Sequence, residues 1–351
     1  MINEGLPVND LEEYLKSVMG NEIAPISLKK FDIGQSNPTY LLTTGLGEFV
    51  LRKKPGGKIP ESAHALDREY RVMGAVYDMG VPVPEIIHYC KTEDVIGTEF
   101  YIMSYIKGRA LINPVLDEIA LSERPKIYNE QARVLAKIHN VDIKAAGLDD
   151  YGHPGNYYER QISRWIKQYR FAETETIPEI EEMINWLPGR IIDYGDNRLL
   201  HGDYKLDNLF FDFDSFRIVG VLDWELSTLG DPLADIANHC VMLRLPNIKS
   251  LRTLQGVNRK SENIPEDSEY IEMYCRHRGI SNIDNMDFRI CFQFFRMAVI
   301  TVGVYKRGLD GFASNKAAFA MDDHAKTIAR LGIETINKTN EESYGLRLHR
   351  K

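Results

Sequence analysis

The apolar pattern of this chain changes once, near Tyr105, and that change bounds what it can fold into. Before it, short runs rich in β-branched and aromatic residues alternate with turns. They predict strands at Phe31–Gln35, Thr39–Thr43, Glu48–Lys53, Glu85–Tyr89 and Glu99–Tyr105. Helices are expected at Asp10–Met19 and Ser62–Asp78, the latter because Leu66, Tyr70, Met73 and Tyr77 recur three and four apart. After Tyr105 the period is helical: Ile127, Val134, Leu135 and Ile138 form one stripe, and Ile162, Trp165, Ile166 and Tyr169 another. A strand cluster at Arg198–Trp224, turning at Asp212–Ser215, interrupts it. Helices resume to about Leu331, and Glu334–Lys351 is expected to be a polar, loosely held tail. The expected class is α+β, with a small antiparallel-sheet lobe over 1–105 and a larger, mainly helical lobe over 106–333.

Composition removes several functions. A net charge of −8 gives no broad basic surface for nucleic acid or anionic membrane. Cys90, Cys240, Cys275 and Cys291 are widely spaced, so neither a disulfide framework nor a cysteine-ligated zinc site is expected. The opening MINEGLPVNDLEEYL is acidic where a signal peptide needs a basic stretch. The best uninterrupted apolar run, Met297–Tyr305, is too short to span a bilayer. A cytoplasmic protein without nucleic-acid or membrane partners is expected; oligomeric state is not legible.

The segment richest in chemistry is His201-Gly-Asp-Tyr-Lys-Leu-Asp-Asn208, followed by Gly220-Val-Leu-Asp-Trp224. Phosphoryl transfer from MgATP needs a carboxylate to orient the attacking hydroxyl, oxygen ligands for the metal, and positive charge to follow the phosphoryl group. Asp203 can be the carboxylate. Asn208 and Asp223 can be the metal ligands, the hairpin returning Asp223 towards Asn208, and Lys205 can supply the charge. Singly, each is an ordinary loop acid, amide or lysine; the spacing carries the signal.

His-Gly-Asp with an Asn five positions after the Asp resembles the catalytic loop of the aminoglycoside phosphotransferase and choline kinase superfamily. VLDW resembles that superfamily's metal-binding motif. The resemblance covers about residues 25–333 and implies a protein-kinase-like two-lobed fold with ATP and magnesium as cofactors. Arg52 matches the third-strand basic residue that grips the phosphates, with Lys53 an alternative, and Glu69 matches the helix acid that pairs with it. Lysine is the commoner residue at that strand position, and arginine is no automatic replacement for it. Gly34, Ser36 and Asn37 occupy the phosphate-covering loop, which lacks the GxGxxG pattern of protein kinases. Met103, Ser104 and Ile106 fall on the interlobe hinge where adenine bonds to backbone. His201 is implied as a loop-orienting residue, and Asp231 as a brace of the catalytic loop through backbone N–H groups or a helix cap. His139 reads as structural.

Two stretches, Gly34-Gln-Ser-Asn-Pro-Thr-Tyr40 and Phe295–Gly308, resemble a branch that includes the kinase-like amino-terminal domains of certain eukaryotic acyl-CoA dehydrogenases. The branch implies a hydroxyacyl-CoA or hydroxy acid acceptor for a free-standing kinase without the dehydrogenase portion. Cations for such an acceptor are available at Arg244, Arg296, Lys306 and Arg307. Arg296 lies in an apolar run, so it either bridges to an acid or reads an anion. The alternatives are an aminoglycoside, choline-like or sugar kinase, and a nucleotide-binding pseudokinase or scaffold. The basic carboxyl terminus disfavours a polycationic acceptor. The interval after Asp223 runs straight to GDPLAD with no activation segment, which disfavours a protein kinase.

Overall fold

A computed structural model of the chain describes residues 6–31, 37–55, 66–153, 155–192, 194–247, 252–310, 321–341 and 346–347. It divides into two compact units. One comprises the chain to Arg109 with Ala145–Leu148 and Asn208–Ser227; the other comprises Ala110–Lys144, Asp149–Asp207 and Thr228 onwards.

The first unit is built on an antiparallel sheet of β1 (Ser27–Lys30), β2 (Thr39–Thr44), β3 (Gly47–Lys53), β4 (Ile86–Cys90) and β5 (Phe100–Ser104), in the order β1-β2-β3-β5-β4. The β2–β3 turn needs Gly45, because a Cβ there would stand 2.3 Å from the Glu22 carbonyl oxygen. Pairing of Leu51 with Ile102 sets these residues on the face covered by Leu11 and Leu15 of helix α1 (Val8–Met19). Strand alternation sends Val50, Arg52, Tyr101 and Met103 to the other face. There α2 (Leu66–Asp78) buries Glu69, Val72, Met73 and Val76. The register of β3 against β5 thus decides which basic residue meets the helix.

A second sheet in this unit has the order β6-β8-β9, from β6 (Arg109–Ala110), β8 (Leu209–Phe211) and β9 (Ile218–Val221). The β8–β9 hairpin is continued by Leu222 N–H donating to the Asn208 carbonyl at 2.9 Å, while Val221 N–H donates to Pro82 at 2.7 Å. The hairpin therefore fixes Asn208 and the strand end before Asp223 to one another.

The second unit is helical, with α3 (Arg124–His139), α4 (Tyr157–Ala172), α5 (Pro178–Trp186), α6 (Leu233–Arg244), α7 (Asp267–Arg278), α8 (Met286–Leu309) and α9 (Met321–Glu341). Strands β7 (Arg198–Leu200) and β10 (Thr228–Gly230) pair antiparallel, and so do β11 (Asn282–Ile283) and β12 (Leu346–Arg347). Asn156 starts α4 by accepting from the N–H groups of Tyr158 and Glu159.

Three expectations are corrected. The first strand lies at Ser27–Lys30; of Phe31–Gln35 only Phe31 is described, and it is outside a strand. Ser-Leu-Lys-Lys has no apolar alternation because it is a mostly exposed edge strand. The helix that contains Met297–Tyr305 runs 24 residues, long and apolar enough to cross a membrane by length and composition. Of its most apolar window 67% is buried within the protein, as in a core helix. Arg289, Gln293 and Arg296 had broken the run in the sequence. Finally, the tail is not loose from Glu334, since α9 continues to Glu341 and Leu346–Arg347 forms a strand. Thr335 and Ile336 are buried, extending the stripe of Ile328 and Ala329 beneath polar neighbours.

Candidate active site

In the second unit the loop after β7 is held from behind by one carboxylate. Asp235, on the first turn of α6 and 2% exposed, accepts the N–H of His201 at 2.8 Å and of Gly202 at 3.0 Å. His139 Nε2 lies 3.3 Å from the same side chain, and its Nδ1 lies 2.8 Å from the Tyr274 hydroxyl. Burial works against the Asp235 charge, but the His139 contact, His201 and the loop amide outweigh it. The carboxyl pKa is therefore below its ordinary value. His201 is fully buried, and its Nδ1 accepts the Asp203 N–H at 3.3 Å. This fixed loop presents Asp203, whose Oδ2 is 3.1 Å from Lys205 Nζ; the same ammonium is 3.5 Å from Asp207.

Asp231 does not brace the loop amides as expected. Its side chain is taken by Arg289 Nε at 2.6 Å, by the Tyr158 hydroxyl at 2.8 Å and by the Leu233 N–H at 3.1 Å. Thus it caps the start of α6 and ties that helix to α8 and α4, while Asp235, four residues on, clamps the loop. Asp231 was the acid expected in that role. Only the direction in which α6 turns assigns the roles. Arg289 and Tyr158 carry no motif and were not legible.

In the first unit Arg52 meets Glu69, Nε to Oε2 at 2.9 Å, and its Nη2 is 3.7 Å from Asp223 Oδ1. Glu69 is 2% exposed. Although burial opposes the guanidinium charge, Glu69, Tyr101 and Asp223 outweigh it and raise the Arg52 pKa above its ordinary value. Lys53 points to the opposite face of β3, where its Nζ donates to the Lys54 carbonyl. Of the two basic residues left open by the sequence, Arg52 is the one joined to Glu69. Asp223 has a backbone φ of 65°, a left-handed conformation that a non-glycine residue rarely adopts.

Met103 is buried on the face of Arg52. Ser104 is less available than expected, because its N–H donates to Glu85 at 2.9 Å and its hydroxyl accepts the Glu85 N–H. Ile106 lies just past β5, packed so closely on Gly220 that a Cβ there would stand 2.8 Å from its Cδ1. Asn37 is buried, its carbonyl accepting the Thr39 hydroxyl at 3.0 Å. Gly34 and Ser36 lie outside the described residues.

Among the described residues no group of three His, Cys, Asp or Glu side chains could hold a metal. The hairpin instead joins the backbone of Asn208, which carries an amide oxygen, to Leu222, the residue before the carboxylate of Asp223. Such a hard-oxygen pair fits magnesium, which characteristically completes its shell with nucleotide phosphates and water. Asp203 and Lys205 belong to the second unit, and Asn208 and Asp223 to the first.

The sequence matches the model of the "Phosphotransferase enzyme family" over residues 27–271. It is 43% identical over 335 residues to acyl-CoA dehydrogenase family member 10 of Mus musculus, covering 95% of this chain and 31% of that protein. The chain thus spans about a third of that relative's length. A candidate aminoglycoside phosphotransferase from Ralstonia eutropha JMP134 superposes with a TM-score of 0.85 at 38% identity, covering 95% of this chain and 99% of the other. An aminoglycoside phosphotransferase mutant solved with ADP and hygromycin B shares the fold at 16% identity, with a TM-score of 0.61 over 93% of this chain and 98% of that one.

Proposed function

We propose that this chain, which belongs to the phosphotransferase enzyme family, transfers the γ-phosphoryl group of ATP to a hydroxyl of a small molecule. The observation that carries the reading is the Asp203 carboxylate, paired at 3.1 Å with Lys205 on a loop whose amides are clamped by Asp235. Asp203 takes the proton of the acceptor hydroxyl as its oxygen bonds to the γ-phosphorus. The bond to the β–γ bridging oxygen breaks and ADP leaves. Lys205 offers positive charge to the migrating group. Arg52, oriented by Glu69, holds the α- and β-phosphates, and Met103 packs behind the base. Asn208 and Asp223 would hold magnesium, which neutralises the triphosphate when bound.

For the acceptor, a hydroxyacyl-CoA or hydroxy acid is favoured over an aminoglycoside, a choline-like alcohol or a sugar. The support is the relative of 43% identity, whose name places it among acyl-CoA dehydrogenases. The test is ATP consumption with mass detection of the product across hydroxyacyl-CoAs, hydroxy acids, amino-alcohols, sugars and aminoglycosides. Asp203→Asn should reduce turnover by about three orders of magnitude or more while ATP affinity stays near that of the parent. Near-parental turnover would remove Asp203 from the role of base.

A further inference from the structure

The chemistry above leaves one acid of the catalytic loop without a task, Asp207. From Asp203 to Asp207 the loop alternates as an extended chain does: Tyr204 and Leu206 are buried, while Asp203, Lys205 and Asp207 are each partly open to solvent. Tyr204 is pinned by its hydroxyl, which donates to the Gln131 carbonyl at 2.9 Å. Arg296 donates to the Gly202 carbonyl at 3.4 Å and to the Gln293 side chain at 3.3 Å. Neither partner is an acid, so among the described residues Arg296 makes no acid bridge and instead joins Asp235 in holding the loop backbone. With the backbone held at these points, the part able to change partners is the long, flexible side chain of Lys205.

Its ammonium has two acidic seats. Lys205 Nζ is 3.1 Å from Asp203 Oδ2 and 3.5 Å from Asp207 Oδ2. Lys205 and Asp207 border a recess of about 70 Å³ whose walls include Gln131, His239, Met242 and Arg252, and Asp207 is the only acid among the described residues that line it. The Asp207 side chain is 43% exposed, and among the described residues its one ion pair is with Lys205. A contact so exposed contributes little to the fold. Its consequence lies in charge. An ammonium seated on Asp203 alone would occupy an oxygen that must receive the acceptor's proton. Once that proton arrives Asp203 is neutral and its attraction for Lys205 is gone, whereas Asp207 keeps its charge.

We propose that Asp207 is a positioning residue that acts through Lys205, giving the ammonium a second seat so that it leaves the base and stays available to the migrating phosphoryl group. The inference rests on the phosphotransfer reading and adds a residue to it. The hydroxyl proton passes to Asp203, the new O–P bond forms as the bond to the β–γ bridging oxygen breaks, Lys205 keeps its protons and Asp207 its charge.

Two measurements on the full chain test this. The first needs no acceptor: brief labelling with acetic anhydride, read lysine by lysine by peptide mass spectrometry. Asp207→Asn should speed labelling of Lys205 by about two- to fivefold, the range that a partly exposed ion pair supports, with Lys126 labelled as in the parent. Asp207→Glu should return the rate towards that of the parent. The second is a kinetic double-mutant cycle with ATP and the acceptor of the panel that turns over fastest. Asp207→Asn should lower kcat about fivefold or more, leave KM for ATP unchanged, and have almost no further effect in a Lys205→Met background. Parental labelling of Lys205, or equal kcat losses in both backgrounds, would overturn the positioning role. No turnover by the parent on any acceptor, with Lys205 labelled faster in Asp207→Asn, would sink the phosphotransfer reading and leave the hold of Asp207 on Lys205 standing.

Discussion

Asp235→Asn is the substitution that most directly separates the scaffold of the catalytic loop from its chemistry. The native carboxylate accepts two loop amides, at 2.8 and 3.0 Å, and has His139 at 3.3 Å. Asparagine keeps one acceptor oxygen and turns an NH₂ towards a backbone N–H. One loop amide is left buried and unpaired, and the charge assistance of the other bond is lost. Hydrogen bonds to charged groups contribute about 1.5–3 kcal/mol, and breaking a buried charged contact costs about 3–5 kcal/mol. A loss of about 3–5 kcal/mol is therefore expected, read as a Tm lower by roughly 6–20 °C at about 2–4 °C per kcal/mol. The effect should depend on pH. Because the folded-state pKa of Asp235 is depressed, its contribution is complete above the unfolded-state value of about 3.9 and disappears as pH falls through the folded value. Parent and variant should thus differ fully at pH 7 and converge in acid below about pH 4. Differential scanning fluorimetry across that range measures it. A difference below about 0.5 kcal/mol at pH 7, or one that grows on acidification, would refute the clamp.

Other substitutions probe the nucleotide side. Arg52→Lys, which removes the fork that reaches both Glu69 and Asp223, should raise KM for ATP about tenfold or more with a smaller loss of kcat; an unchanged KM would show that the phosphates are held elsewhere. Asp223→Ala should weaken magnesium-dependent nucleotide binding measured by calorimetry, and identical magnesium dependence would contradict its role. Gly45→Ala should cost about 2–4 kcal/mol by chemical denaturation without altering turnover, since its Cβ would press on the Glu22 carbonyl at 2.3 Å; a neutral result would mean that the β2–β3 turn relaxes freely.

What the sequence made legible follows from where the constraint lay. Period-two and period-3.6 patterns report which face of an element is buried, so the sheet strands β2 to β5 and the helices on both sides of Tyr105 were visible from them. Edge strand β1 buries almost nothing and left no pattern to read. Residues read for a chemical task from their fixed spacing, Asp203, Lys205, Asn208 and Asp223, could be listed before any geometry was known. The residues that orient them could not. Asp235 and Asp231 are both acids on the same short stretch, and which one meets the loop amides depends on a helix start that positions one carboxylate towards β7 and the other towards Arg289 on α8, 58 residues away.

The choice between Arg52 and Lys53 shows the same limit from the other direction. Both are basic and adjacent, and composition cannot separate them. Pairing of β3 with β5 can, because Arg52 stands opposite Tyr101 and Lys53 opposite Phe100. A slip of one residue would exchange the faces and set Lys53 before Glu69. That register is held by the α1 core, where Leu51 and Ile102 are both fully buried, at about 1.5–3 kcal/mol for each side chain. Burying a lysine or arginine in their place would forfeit that burial and add the cost of an uncompensated charge. The hydrophobic face packed on α1 therefore selects, through strand alternation, the cation presented to Glu69 on the other side.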